Sequence, residues 1–174
     1  AYYGRLTDTK SVIAFDMGGT TAKMCLIENF EPEHANTFEA GRVRRFRKGS
    51  GIPLKVPVID LIEIGAGGGS ISRLDAMGLL KVGPDSAGSE PGPVCYGLAG
   101  EDPTVTDADL LLGYLSPDYF LGGEMSLNVD VVREAIDAKL AGPSGLDVTA
   151  IAAGIHAIVN NNMAAATRSH IAEK

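Results

Sequence analysis

The stretch from Ser11 to Thr21 constrains this chain most. An apolar run, Val12, Ile13, Ala14 and Phe15, leads straight into Asp16-Met17-Gly18-Gly19-Thr20-Thr21. A short apolar run bounded by turn residues reads as a strand buried in a sheet covered on both faces. It ends in a carboxylate, two glycines and two hydroxyls. Glycine lets the backbone turn sharply and lets its N–H groups approach an anion with no Cβ in the way. Successive exposed N–H groups form an anion-binding nest, and threonine hydroxyls add donors. A carboxylate would repel phosphate directly, so the sensible place for Asp16 beside one is on Mg²⁺ or a water. Ala22 to Glu28 is apolar again, so the loop reads as the tip of a β-hairpin, unlike a P-loop, which opens a helix. The same residues also suit an ordinary Gly-Gly hairpin capped by aspartate.

The 174 residues suit one domain, or one and a fraction, with a real core. A net charge of −7 argues against a general nucleic-acid binder, whose affinity rests on Lys and Arg neutralising phosphates. The five cations Arg42, Arg44, Arg45, Arg47 and Lys48 cluster between Phe38 and Gly49. With no aromatic stacking platform beside them, they read as a charged edge strand that discourages pairing with other chains. No apolar run is long enough to span a bilayer and no signal-peptide pattern is visible, so no membrane partner is expected. Cys25 and Cys95 are too few for a disulfide framework or a zinc site, and a cytoplasmic setting is the default expectation. The chain starts without Met and stops at Lys174 inside a predicted helix, which reads as a piece of something longer.

Val56 to Ile64 reads as a further strand running into Gly65-Ala66-Gly67-Gly68-Gly69-Ser70, a second strand-to-glycine-loop transition. Two such transitions point to a nucleotide or anion cleft. The second is not a dinucleotide fingerprint, because Ser70 stands where the last glycine belongs, and it is not a nucleophile elbow. Ile71–Leu74 and Leu79–Val82 read as a hairpin with Gly78 in its turn. Residues 83–104 hold five glycines and four prolines, which excludes a helix or a central strand. Val94, Tyr96 and Leu98 give that stretch something to bury, so it reads as an ordered loop, with Cys95 a small buried filler.

The rest reads as helical. Thr106 is the expected N-cap of a helix carrying Asp107, Asp109 and Leu110 to Leu112. Asn128 to Leu140 is amphipathic, and Asp147 to about Ile171 forms a long Ala-rich helix. Within it His156 reads as a core or boundary histidine. Asn160-Asn161-Asn162 marks a kink, a polar helix contact or a ligand contact.

Several blocks then resemble the hydantoinase/oxoprolinase family. They are Phe15-Asp-Met-Gly-Gly-Thr-Thr21, Ile64-Gly-Ala-Gly-Gly-Gly-Ser-Ile71, the 82–97 stretch with its Gly-Ser-Glu-Pro-Gly-Pro-Val-Cys-Tyr-Gly, Pro103 to Gly113, and Phe120 to Met125. The resemblance implies an α/β fold, a ribonuclease H-like (actin-like ATPase) domain. It has a mixed sheet, with hairpin strands on the N-terminal side and helices in the C-terminal half. Residues 1–174 would then be a single partial domain, the second ATPase domain of a larger enzyme, with 83–104 a long ordered loop inside it. It implies ATP and Mg²⁺ as cofactors, with Gly18, Gly19, Thr20 and Thr21 on the phosphates. Asp16 would be catalytic and hold the metal or the attacking water, and Gly67, Gly68 and Gly69 would touch nucleotide more weakly. The implied activity is ATP-dependent opening of a cyclic amide such as a hydantoin or 5-oxoproline, through phosphorylation of the ring amide oxygen. The alternatives are an ATP-dependent ketone carboxylase subunit, or a scaffold subunit with a vestigial nucleotide cleft. Implied partners are the remaining domains of the chain and a hydantoinase B-like subunit. One departure stands out: many members read Gly-Gly-Thr-Ser-Thr-Asp where this chain has Gly-Gly-Thr-Thr-Ala-Lys, so Lys23 replaces an acidic residue. That puts a metal role for position 23 in doubt.

Overall fold

The computed structural model describes residues 1–41, 43 and 49–174, and most of the basic segment lies outside them. The chain divides into two compact units. One comprises residues 1–17, 22–64 and 166–174, the other 18–21 and 65–165.

The first unit opens with α1 (Tyr2–Leu6). Its strands are β1 (Ser11–Met17), β2 (Ala22–Glu28), β3 (Glu31–Pro32), β4 (His34–Ala35), β5 (Phe38–Ala40), β6 (Ile52–Leu54), β7 (Val58–Ile59) and β8 (Ile62–Ile64). β1 and β2 pair in register from Ser11↔Glu28 to Met17↔Ala22. The other edge of β2 is shared: Ile27 and Glu28 pair with β3, and Ala22 to Met24 pair with β8. β4 pairs with β7, and β5 with β6. Among the described residues every strand pairing is antiparallel, where a mixed sheet was expected. β1–β2, β2–β3 and β9–β10 are joined by short turns, and β5–β6 nests inside β4–β7, which nests inside β2–β8, so the chain folds back on itself and each pair runs antiparallel. The continuous strand expected over 56–64 is broken at Asp60 and Leu61 into β7 and β8, which pair with different partners.

Burial distinguishes the two hairpin strands. β2 has both faces covered, with Met24, Cys25 and Ile27 all buried. Among the described residues β1 pairs only with β2, and Ile13 and Phe15 remain 45% and 46% exposed. The doubly covered strand of the sequence reading is therefore β2 rather than β1.

The second unit contains the hairpin of β9 (Ser70–Leu74) and β10 (Leu80–Ser86). Asp75 builds its turn, one carboxylate oxygen accepting the Met77 and Leu79 amides at 2.9 and 3.0 Å. Gly78 takes the left-handed conformation there, at φ +76°. β10 resumes at Ser86 after a register shift, so residues 83–86 of the Gly/Pro stretch form strand where loop was expected. The remainder of that stretch is an ordered loop with one 3₁₀ turn at Val94–Tyr96. Helices follow: α2 (Val105–Leu111), α3 (Val129–Ile136) running into a π turn at Asp137–Ala141, α4 (Gly142–Ser144), and α5 (Val148–Ala172), whose end from residue 166 belongs to the first unit. Asn128 caps α3 and Asp147 caps α5, each accepting two first-turn amides. Val105, Val132, Ile136, Leu140, Ile151, Ile155 and Val159 form the core of this unit. Each such aliphatic side chain contributes roughly 1.5–3 kcal/mol through burial. Asn160, Asn161 and Asn162 are exposed on unbroken helix, with no kink there. Among the described residues no single helix is long and apolar enough to cross a membrane.

Candidate functional site

Two glycine segments meet within the second unit. The Gly68 amide donates to the Gly18 carbonyl at 3.1 Å, and the Gly69 amide to the Gly19 carbonyl at 2.6 Å. The contact is too close for side chains. A Cβ on residue 67 would stand 2.6 Å from the Gly18 oxygen, and one on residue 69 would stand 3.0 Å from the Gly19 oxygen.

This bracing orients the hairpin tip. The peptide bonds after Gly18 and Gly19 are trans, so each carbonyl points opposite to the N–H that follows it. With the Gly18 and Gly19 carbonyls drawn toward residues 68 and 69, the Gly19 and Thr20 amides point the other way. Among the described residues neither amide has a protein acceptor, whereas the Gly18 amide closes the turn on the Thr21 carbonyl at 2.9 Å. Gly18 and Gly19 are exposed and Thr20 and Thr21 half-buried. Two successive outward amides flanked by two hydroxyls have the donor chemistry that suits an anion.

The second glycine loop has its own donors paired. The Gly67 amide donates to Ser70 Oγ at 3.0 Å, and the Gly68 and Gly69 amides go to the hairpin tip. Gly68 also faces α2: its carbonyl accepts the Thr106 amide at 2.7 Å, and a Cβ there would lie 2.7 Å from Thr106 Oγ1. Gly67 to Gly69 therefore support the tip, rather than offering amides of their own. Sequence reasoning had Thr106 only as a helix cap. Its contact with Gly68 joins residues far apart in the chain, and spacing carries no signal for that.

Asp16 lies on β1 in the first unit, exposed, directly across the ladder from Lys23. Lys23 in turn pairs in register with Glu63 of β8, with Nζ 4.0 Å from Glu63 Oε1. Lys23 thus has a carboxylate-bearing residue opposite it on each side.

The helix cap of α2 is Thr104, two residues before the expected Thr106, and it forms a capping box with Asp107. Asp107 is fully buried. Its carboxylate accepts the amides of Val94 (3.2 Å), Cys95 (2.8 Å) and Thr104 (2.8 Å) and the Thr104 hydroxyl (2.8 Å). One side chain thus ties the Gly/Pro loop to the start of α2. Cys95 is buried as expected of a filler, and burial, with Asp107 beside it, pushes its thiol far above the ordinary range. His156 is better placed than its sequence position suggests. Its Nδ1 lies 2.8 Å from Asp109 Oδ1, and its ring stacks on Tyr114 at 4.9 Å.

The fold and loop define an α/β chain whose hairpin tip is braced by a second glycine loop and turns two amides outward. The hydantoinase/oxoprolinase family profile matches residues 1–174, and the chain belongs to that family. The alpha subunit of caprolactamase from Pseudomonas jessenii is 44% identical over 158 residues, covering 91% of this chain and 21% of that protein. The crystal structure of the ATP-dependent caprolactamase from the same organism superposes with a TM-score of 0.77 at 40% identity, over 95% of this chain and 23% of that one. The nucleotide-free structure of acetone carboxylase, an ATP-dependent system, superposes with a TM-score of 0.82 at 34% identity, over 98% of this chain and 23% of that one. An uncharacterised protein of Methanocaldococcus jannaschii, MJ0964, is 46% identical over 171 residues, covering 97% of this chain and 25% of that protein. The chain therefore spans about a quarter or less of the length of these relatives.

Proposed function

We propose that this chain supplies one side of an ATP-phosphate site in a larger ATP-dependent enzyme that opens cyclic amides. The observation that carries the reading is the outward pair of Gly19 and Thr20 amides, set by the bracing of Gly18 and Gly19 on Gly68 and Gly69. That donor set fits a phosphate: two amides and the Thr20 and Thr21 hydroxyls are available, and the neighbouring carbonyls are held away. Gly67 to Gly69 hold the nest in shape. Asp16 is the residue assigned to a Mg²⁺ ion or an attacking water, and no metal role is assigned to Lys23. When bound, ATP supplies the phosphoryl group that turns a resonance-stabilised amide carbonyl into one open to water. The chain's own work is to place and stabilise phosphate charge.

The antiparallel hairpin with a phosphate loop at its tip is consistent with a ribonuclease H-like, actin-like ATPase domain. The caprolactamase likeness favours amide hydrolysis, with further domains and a second subunit completing the enzyme. The acetone carboxylase superposition, with a TM-score of 0.82, favours a second reading as a ketone carboxylase component using the same phosphate loop. Calorimetry with ATP on the full-length protein, with and without magnesium, tests the common core. Magnesium-dependent binding that weakens at least about tenfold in Thr20→Ala supports it. Absence of such binding leaves a scaffold role. Turnover assays against hydantoin, 5-oxoproline, a lactam and acetone separate the two enzyme readings.

A further inference from the structure

The first unit contains a cluster that the phosphate site does not use. Glu33 and Asp60 face each other just beyond the β4–β7 pair, where His34 pairs with Ile59 and the Asp60 amide donates to the Glu33 carbonyl at 2.8 Å. Like charges set opposite each other on neighbouring strands repel. Here the side chains are only 27% and 22% exposed, so water screens them incompletely. His170 joins them from the last turns of α5. It is 4% exposed, and neither ring nitrogen has a hydrogen-bond partner. One carboxylate oxygen each from Glu33 and Asp60 and one His170 ring nitrogen all lie within 4.8 Å of one another. Among the described residues no other three such groups converge in this way.

Lys174 brings an ammonium to the same place. Its Nζ contacts Asp60 Oδ2 and stands 2.9 Å from Glu33 Oε2. That ion pair does not complete the cluster. Glu33 Oε2 lacks an aligned hydrogen bond, and the buried imidazole is left with no partner at all. A buried imidazole beside two carboxylates is a ligand set, and the lysine meets only its acidic half.

We propose that Glu33, Asp60 and His170 form a binding site for a divalent transition ion, Zn²⁺ or Mn²⁺, for which Lys174 is the built-in competing cation. Ligand atoms around a tetrahedral ion with bonds of about 2.0–2.2 Å stand about 3.4 Å apart, so side-chain adjustments of about an ångström close the site. One nitrogen and two carboxylate oxygens suit Zn²⁺ in this arrangement, and Mn²⁺ with further ligands from water, better than Mg²⁺, which dehydrates reluctantly and keeps to oxygen ligands. A fourth position is left for water. The ion would tie the β4–β7 pair to the end of α5, a bracing role independent of nucleotide.

The test uses full-length protein stripped with chelator, dialysed against Zn²⁺ or Mn²⁺, with bound metal measured by mass spectrometry. The wild type is expected to bind one more equivalent than His170→Ala and than the Glu33→Gln/Asp60→Asn double variant, with the affinity of this site falling more than about tenfold in each. Lys174→Ala is expected to bind the ion more tightly than wild type, a gain that misfolding cannot produce. Cobalt substitution adds a readout, since a visible absorption band present in wild type and lost in His170→Ala reports imidazole ligation. Metal content and affinity that are the same in wild type, His170→Ala and Lys174→Ala would overturn the proposal, as would a wild type that retains neither ion.

Discussion

Gly67 rests backbone against backbone on Gly18, so that a methyl group on residue 67 would stand 2.6 Å from the Gly18 carbonyl oxygen. Neither partner can yield cheaply, because each is main chain held by its own hydrogen bonds. Gly67→Ala is therefore expected to cost about 1–3 kcal/mol of stability. It should also weaken MgATP binding, since it pushes the hairpin tip off its brace. Gly19 provides the control. A Cβ there meets nothing within 4 Å, so Gly19→Ala should leave the melting temperature nearly unchanged while still crowding the proposed phosphate face. Differential scanning calorimetry and MgATP titration of the two variants separate these effects. Equal melting temperatures for both variants would refute the bracing role.

The two glycine segments were legible in the sequence, and their relationship was not. Local composition marks a turn wherever Asp16 to Thr21 or Gly65 to Ser70 occurs, because glycine's freedom is a property of the residue itself. That the amides of Gly68 and Gly69 are used on Gly18 and Gly19 is a tertiary fact, with no periodicity behind it. The same division holds for Asp107. Its place near a helix start was visible, but its bonds to Val94 and Cys95 depend on how the preceding loop folds back. The exposure of β1 was missed for a related reason: apolar content predicts a need for cover, whereas exposure follows from which strands pair.

Asp107 holds the Gly/Pro loop through four acceptor contacts in a buried setting. Asp107→Asn keeps the shape but replaces one acceptor oxygen with a donor, facing amides that also donate. The expected cost is about 3 kcal/mol, from buried donors left unpaired. Thr104→Val, which removes one hydroxyl and leaves the carboxylate in place, should cost about 1 kcal/mol. Hydrogen exchange at the Val94 and Cys95 amides locates the loss: fast exchange is expected in Asp107→Asn and protection in Thr104→Val. Protection of both amides in Asp107→Asn would contradict the anchoring role.

The Cys95 thiol is raised above its ordinary 9.0, first by burial and then by the charge of Asp107. A thiol whose folded value is raised holds its proton in the folded state after the unfolded chain has lost it. Its contribution to stability is complete below about pH 9 and is lost as pH rises above that, by up to about 1.4 kcal/mol per pH unit. Wild type should therefore lose stability between pH 9 and 11 more steeply than Cys95→Ala, which lacks the titrating group. Alkylation with iodoacetamide, mapped by peptide mass, should leave Cys95 unmodified in the folded protein at pH 8 and label it fully in denaturant. Rapid labelling of folded Cys95 would remove the basis for the pH effect.

Asp16 makes the sharpest separation between fold and chemistry. It is exposed on β1, and its cross-strand neighbour Lys23 has Glu63 as its other pairing partner, so removing the Asp16 carboxylate orphans no buried group. Surface changes of this kind usually fall within about 0.5 kcal/mol. If Asp16 positions the metal or the attacking water, Asp16→Asn and Asp16→Ala should both lower ATP-coupled kcat by at least about a hundredfold with the melting temperature unchanged. The two variants should agree, because the amide restores shape but neither the charge nor the basicity. Raising magnesium separates the two roles. Partial recovery in Asp16→Asn at high magnesium marks a metal ligand, whereas loss that magnesium does not repair marks the water-positioning role. Coupled rates equal to wild type in either variant would exclude both assignments and leave the Gly19–Thr20 amides as this chain's proposed contact with phosphate.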